Sequence, residues 1–276
     1  MKRILTIQDV SCVGQCSTTV ALPLLSACGV ECAILPPAIL SNHTGGFKTW
    51  SFADLTGELP KVEAKWVEQG IRFDAFYTGY VCESHIEPIL SIMRSCSNPG
   101  ALRFVDPAMA DNGVLYTGFR PDFPSKMARL CAGADYLLPN LTEAALLTGM
   151  DPARFVGAGV VPRREELESL IGRLHELGAK NVVLTGVSFR PEDLGTAVSD
   201  GERIVYDFNA RNPRSAHGTG DVFASVFAGA VLRGLTPSGA AALAADIVCE
   251  AIEVTDSEHW YGVSFERTIP SLVKAL

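Results

Sequence analysis

No stretch of this chain is apolar for long enough to span a bilayer, and none is low in complexity or internally repeated. The amino-terminal run Ile4-Leu5-Thr6-Ile7 follows two positive charges but stops at Gln8 and Asp9, too short for the core of a secretion signal. Basic residues are scarce: 23 Lys and Arg stand against 31 Asp and Glu, a net charge of −8. A surface of that sign repels a phosphate backbone, which argues against nucleic acid as a partner. Metal-site spacing is also missing. Cys12/Cys16 and Cys28/Cys32 lie four apart, looser than a zinc ribbon, and no histidine clusters beside them. With no export signal, the eight cysteines are expected as reduced thiols of a cytoplasmic protein.

What is present is core-forming material, 47% hydrophobic and 20% charged. Short apolar runs alternate with amphipathic stretches. Strands are expected at Ile4–Ile7, Cys32–Pro36, Ala75–Thr78, Arg103–Val105, Tyr136–Leu138, Asn181–Leu184, Thr196–Ser199 and Ile204–Tyr206. Helices are expected at Ser17–Cys28, Val62–Gln69, Ile86–Arg94, Pro124–Cys131, Thr142–Leu147, Arg164–Leu177, Thr219–Leu232 and Pro237–Val254. The alternation predicts an α/β fold, a mostly parallel central sheet covered by helices on both faces. Residues 1–276 fit one domain. Such sheets bind ligands beyond the carboxyl ends of their strands. The stretches Leu40–Thr56 and Asp207–Gly218 read as long loops.

The strongest local signal is His217-Gly218-Thr219-Gly220-Asp221, just before an apolar helix. Glycines allow a tight turn and close approach of a ligand, and the free N–H groups of the helix start form an anion site. Asp221 beside such a site suits a base that takes a hydroxyl proton. The alternative is an N-cap formed by Thr219 or Asp221.

His217–Ala230 resembles the carboxy-terminal signature of the ribokinase-like superfamily. Ser41-Asn42-His43-Thr44-Gly45-Gly46, Val105-Asp106-Pro107-Ala108-Met109-Ala110-Asp111 and Leu138-Pro139-Asn140-Leu141-Thr142-Glu143 narrow the resemblance to its pyridoxal kinases. Ile7-Gln8 and Thr78-Gly79-Tyr80 match in kind and order, so the likeness runs from Ile7 to about Val254.

The resemblance implies a three-layer ribokinase-like kinase, commonly a homodimer. It would carry phosphate from ATP to the 5′-hydroxymethyl group of a vitamin B6 compound. Asp221 would be the base, with Gly218, Thr219 and Gly220 holding developing charge. Asp9, His43, Thr44 and Tyr80 would meet the acceptor. Asp106, Asn140, Glu143, Thr185 and Arg211 would serve ATP, with Mg²⁺ near Asp106, Asp111 and Glu143 and a monovalent cation left open. Each implied role has an ordinary structural counterpart. Acidic residues such as Glu143 favour helix starts, Asp9 can cap the turn after the first strand, and a loop arginine is usually solvated.

Two departures bear on the acceptor. Asp9 stands where pyridoxal kinases usually have serine, and Gly113-Val114-Leu115-Tyr116 lacks the thiol some bacterial members carry after the Asp-Pro motif. The rival readings are a hydroxymethylpyrimidine kinase, whose opening Gly-Ser-Asp run Gln8–Cys12 does not resemble, a sugar kinase, and a non-catalytic ligand-binding protein on the same fold.

Overall fold

The computed structural model describes every residue except Ala158 and Ser215; Ser215 falls in the expected loop Asp207–Gly218. The chain divides into two compact units, residues 1–102 with 212–276, and residues 103–211.

The first unit is built on the strand Arg3–Ile7, which pairs in parallel with Glu31–Ile34 on one side and Phe73–Thr78 on the other. Ile4, Leu5, Thr6 and Ile7 are all fully buried, as expected of a parallel strand covered on both faces. The helix Thr219–Leu232 is buried from Val222 through Ala230. A helix apolar on every side belongs inside, and small residues let it in: a Cβ at Gly229 would collide with Cys28. The helix Pro237–Val254 packs beside it. A small sheet of Val10–Ser11, Ala38–Leu40 and Phe52–Asp54 also belongs to this unit.

In the second unit Tyr136–Leu137 pairs in parallel with Phe104–Val105 and with Val182. Val182–Val187, Asp193–Ser199 and Ile204–Ala210 then follow, each antiparallel to the next. Its helices are Phe123–Cys131, Leu141–Leu147 and Arg164–Glu176. The α/β, mostly parallel expectation holds, with these hairpin strands the antiparallel exception.

Two loop expectations need correction. Leu40–Thr56 contains the strand Phe52–Asp54, whose three residues are all exposed and so carry no burial pattern to read. Asp207–Gly218 begins as strand, because Asp207–Ala210 continues the ladder with Asp193–Thr196. The two-residue strands Ala110–Asp111 and Val114–Leu115 are too short for any periodicity to reveal. Among the described residues, no helix is long and apolar enough to cross a membrane.

Candidate active site

Gly218 is the N-cap of helix Thr219–Leu232, with φ of +81°. That left-handed backbone is costly for any residue with a Cβ. A Cβ there would also strike the carbonyl oxygen of Gln15. No side chain caps the helix, so neither Thr219 nor Asp221 is its N-cap; the Thr219 hydroxyl donates to the carbonyl of Ala216 at 3.4 Å. The first turn of a helix leaves its N–H groups without intrahelical partners. Here the glycine cap offers them no side chain of its own.

Asp221 lies in that first turn. The residue keeps some contact with solvent, but its carboxyl sits deep enough for burial to push its pKa up to about 7. The backbone N–H of Ser17 pulls it back down, and the charge of Asp9 raises it further.

Asp9 is 3% exposed. It accepts a hydrogen bond from the Ser11 hydroxyl at 2.8 Å and another from the Ser17 side chain. Burial nevertheless raises it above the ordinary carboxylate range. Its own loop therefore satisfies Asp9, the turn-holding role that the sequence offered as its alternative. Ser17 has a φ of +51°, a strained value for a residue with a side chain. That strain turns its N–H to Asp221 and its hydroxyl to Asp9. Cys16 is buried beside both carboxylates, and burial drives its thiol far up, so it stays protonated.

His43 and Thr44 sit in the loop after strand Ala38–Leu40. The His43 N–H donates to Val13 at 2.8 Å, and its ring meets His217 edge to face at 5.3 Å. Burial, and next the neighbouring His217, lower its pKa to about 4, so His43 is neutral near pH 7. Thr44 is half-buried and makes no side-chain hydrogen bond among the described residues. Tyr80 is half-buried; burial raises its phenol, as do nearby Cys82 and Asp9.

A cleft of about 300 Å³ opens between the segment before Gly218 and the segment after helix Pro237–Val254. Arg214, Ala216, Ile252, Asp256 and Trp260 are among its walls. Arg214 is fixed there by a 2.6 Å bond from Nη2 to the carbonyl of Thr255. Arg211, the arginine that the resemblance put at ATP, is held by the hairpin. Its guanidinium donates to the carbonyls of Pro191 at 2.9 Å and Asp193 at 3.2 Å. Spacing alone did not separate the two arginines; only the end of the hairpin strand at Ala210 does.

The second unit holds the acidic set. Asn140 caps helix Leu141–Leu147 and accepts from the Glu143 N–H at 2.9 Å, while Glu143 Oε2 accepts from the Asn140 N–H at 2.9 Å. Glu143 Oε1 accepts from Met109 at 3.1 Å and Ala110 at 3.5 Å. The buried carboxyl is pushed up by its burial and pulled down by these N–H groups. Glu143 thus has the helix-start role and also grips the chain between Asp106 and Asp111. Asp106 is 8% exposed. Asp111 is exposed and accepts from the backbone and side chain of Asn112. Thr185 bridges to Asn140, and its N–H donates to Pro139 at 3.0 Å.

Among the described residues, no three His, Cys, Asp or Glu side chains come together as a ready-made metal cage. Mg²⁺ rarely needs one: it keeps several waters and takes one or two carboxylates plus substrate phosphates. Exposed Asp111 fits that requirement, since its contacts with Asn112 can give way to an ion, whereas the buried Glu143 oxygens are held by backbone N–H groups.

The residues that sequence reasoning missed are Ser11, Gln15, Ser17, Arg214 as the cleft arginine, and Trp260. None stands in a motif with a readable spacing.

Comparison with known proteins adds to this geometry. The phosphomethylpyrimidine kinase family model matches residues 24–263. The structure of pyridoxal kinase from Lactobacillus plantarum is 32% identical and superposes with a TM-score of 0.89, over 100% of this chain and 98% of that one. A Bacteroides thetaiotaomicron protein with the working name phosphomethylpyrimidine kinase, crystallised with pyridoxal, is 31% identical. Its TM-score is 0.90 over 98% of this chain and 95% of that one. Pyridoxal kinase PdxY of Corynebacterium diphtheriae is 29% identical over 274 residues, 91% of this chain and 89% of the relative. The chain therefore belongs to the phosphomethylpyrimidine kinase family, among the pyridoxal kinases of the ribokinase-like superfamily.

Proposed function

We propose that this kinase transfers the γ-phosphoryl group of ATP to the 5′-hydroxymethyl group of a vitamin B6 vitamer. The observation that carries the reading is Asp221: a carboxylate in the first turn of an uncapped helix, with its pKa raised to about 7. A base poised there takes a proton near neutral pH. The hydroxymethyl proton moves to Asp221 as the acceptor oxygen bonds to the γ-phosphorus. The bond from that phosphorus to the β,γ-bridging oxygen breaks, and its electron pair leaves with ADP. The N–H groups of Gly218, Thr219 and Gly220 hold the charge that develops on the transferred group. His43, Thr44 and Tyr80 surround the acceptor, with neutral His43 able to share a hydrogen bond. Asp9 acts through Asp221, as a nearby negative charge, rather than by reaching the ring itself.

Mg²⁺, when bound with ATP, neutralises the phosphates. Asp106 and Asp111 would hold it. Glu143, Asn140 and Thr185 keep those carboxylates and the phosphate side in register. The cleft beside Arg214 suits the nucleoside end of ATP: Ile252 and Trp260 offer apolar surface, and Arg214 offers charge to the phosphates. Arg211 then serves the hairpin.

We take residues 1–276 as one kinase domain working in the cytoplasm as a homodimer; exposed Ile39 and Phe52 on the small sheet support self-association. Light scattering of the purified protein tests this, and a monomer at micromolar concentration would refute it.

The second reading is hydroxymethylpyrimidine kinase, favoured by the family model that matches the chain. ATP consumption with pyridoxal, pyridoxamine, pyridoxine and hydroxymethylpyrimidine in parallel decides between them. Turnover of a vitamer above that of the pyrimidine is expected, and the reverse order would replace the reading.

A further inference from the structure

Within the first unit, the loop that carries His43 and Thr44 packs on Trp260. Phe47, three residues beyond Thr44, packs against its indole at a tilt of 52°, with ring centroids 4.7 Å apart. Gly46 lies so close that a Cβ would stand 3.1 Å from the indole ring, and its φ of +81° already favours glycine. Gly45 has no room for a Cβ either, with the His43 ring at 2.6 Å and the His217 ring at 2.9 Å. The acceptor loop is therefore seated directly on Trp260 and His217.

The segment carrying Trp260 is itself tied down. His259 Nε2 donates to Gln15 Oε1, and Gln15 Nε2 donates to both oxygens of Glu266 at 2.8 Å. The Gln15 carbonyl is the atom that abuts Gly218. Trp260 nonetheless remains 53% exposed, and it forms part of the cleft wall. A large aromatic ring left half in water beside a cleft has apolar surface that a flat ligand can cover.

We propose that Trp260 is a positioning residue coupling the two substrates: a nucleotide in the cleft fixes the indole, and the indole fixes Phe47 and Gly46 and so the loop bearing His43 and Thr44. The inference rests on the reading that the cleft takes the nucleotide and the loop takes the acceptor. Coupling requires that each ligand change the other's affinity by the same factor, commonly about fivefold or more. Filling the cleft orders the loop before the acceptor arrives, and the acceptor then has less ordering to do.

Hydrogen exchange of the peptide spanning residues 41–50 tests this without any acceptor. It is followed with and without a non-hydrolysable ATP analogue in the wild type, Trp260→Ala, Trp260→Phe and Phe47→Ala. The analogue is expected to slow exchange about fivefold in the wild type. Trp260→Phe, which keeps an aromatic face, should retain most of that protection. Trp260→Ala and Phe47→Ala should each abolish it, and the double variant should lose no more than either single one, since both act on one contact. Pyridoxal affinity measured with and without the analogue should follow the same order. Phe47→Ala attacks the contact from the other side, so the test does not depend on the folding of one variant. Undiminished protection in both alanine variants, or no protection in the wild type, overturns the coupling. A protein whose loop is protected by nucleotide but which phosphorylates no vitamer keeps the coupling and overturns the acceptor reading instead.

Discussion

Two helix starts in this molecule place an acid at the same position and use it in opposite ways. Asp221 is the third residue of helix Thr219–Leu232, and Glu143 is the third residue of helix Leu141–Leu147. Both carboxyls are raised by burial. The difference lies in the cap. Asn140 has a side chain to give, so a reciprocal capping box closes and Glu143 is consumed by Asn140, Met109 and Ala110. Gly218 has none, so no box forms, and Asp221 keeps capacity to accept a proton. One helix start engages its acid in a capping box, and the other leaves its acid outside one.

The sharpest way to break the comparison is Asp221→Asn. The amide keeps the shape but cannot accept the proton, and loss of a general base costs on the order of 10²–10⁴ in rate. Turnover should collapse while the protein still binds ATP and vitamer in calorimetry. Near-normal turnover would remove Asp221 from the mechanism.

Glu143→Gln should show the converse pattern. The amide NH₂ confronts backbone N–H groups that now meet no carboxylate, at a cost of about 1–3 kcal/mol. Melting temperature should fall clearly, with the Mg²⁺ concentration for half-maximal rate moving less. A large shift in the Mg²⁺ titration of a protein that melts normally would make Glu143 a direct partner of the ion.

The smallest effect concerns Asp9. On the proposed reading Asp221 is a base whose pKa is raised to about 7, so the rate should rise with pH through about 7 and be lost below it, where the carboxyl is protonated. Asp9→Asn removes a negative charge that raises Asp221. The acid limb of kcat/KM should therefore move to lower pH, by less than burial itself contributes. A limb that stays in place, or moves to higher pH, would show that Asp9 does not act through Asp221.

Much of the fold is legible in the chain because buried parallel strands need continuous apolar runs, and Ile4–Ile7, Ala75–Thr78 and Asn181–Leu184 show them. Structure was illegible where burial does not alternate, as in exposed Phe52–Asp54. The acidic and glycine motifs are legible because a helix start needs particular residues at fixed local spacing, as in Asn140–Glu143 and Gly218–Asp221.

Sequence by itself determined the order of the central-sheet strands and their helices, the two acid-bearing helix starts and the kinship with pyridoxal kinases, all of which are carried by local pattern. Tertiary structure decided what each acid and arginine touches. Asp9 and Asp221 lie 212 positions apart along the chain, and only folding sets one carboxylate's field on the other. Arg211 and Arg214 are three residues apart in one loop, yet the hairpin claims the first and the end of helix Pro237–Val254 claims the second. Hydrogen bonding and burial act over a few ångströms in space, whatever the separation in sequence, so these assignments exist only once the chain has folded.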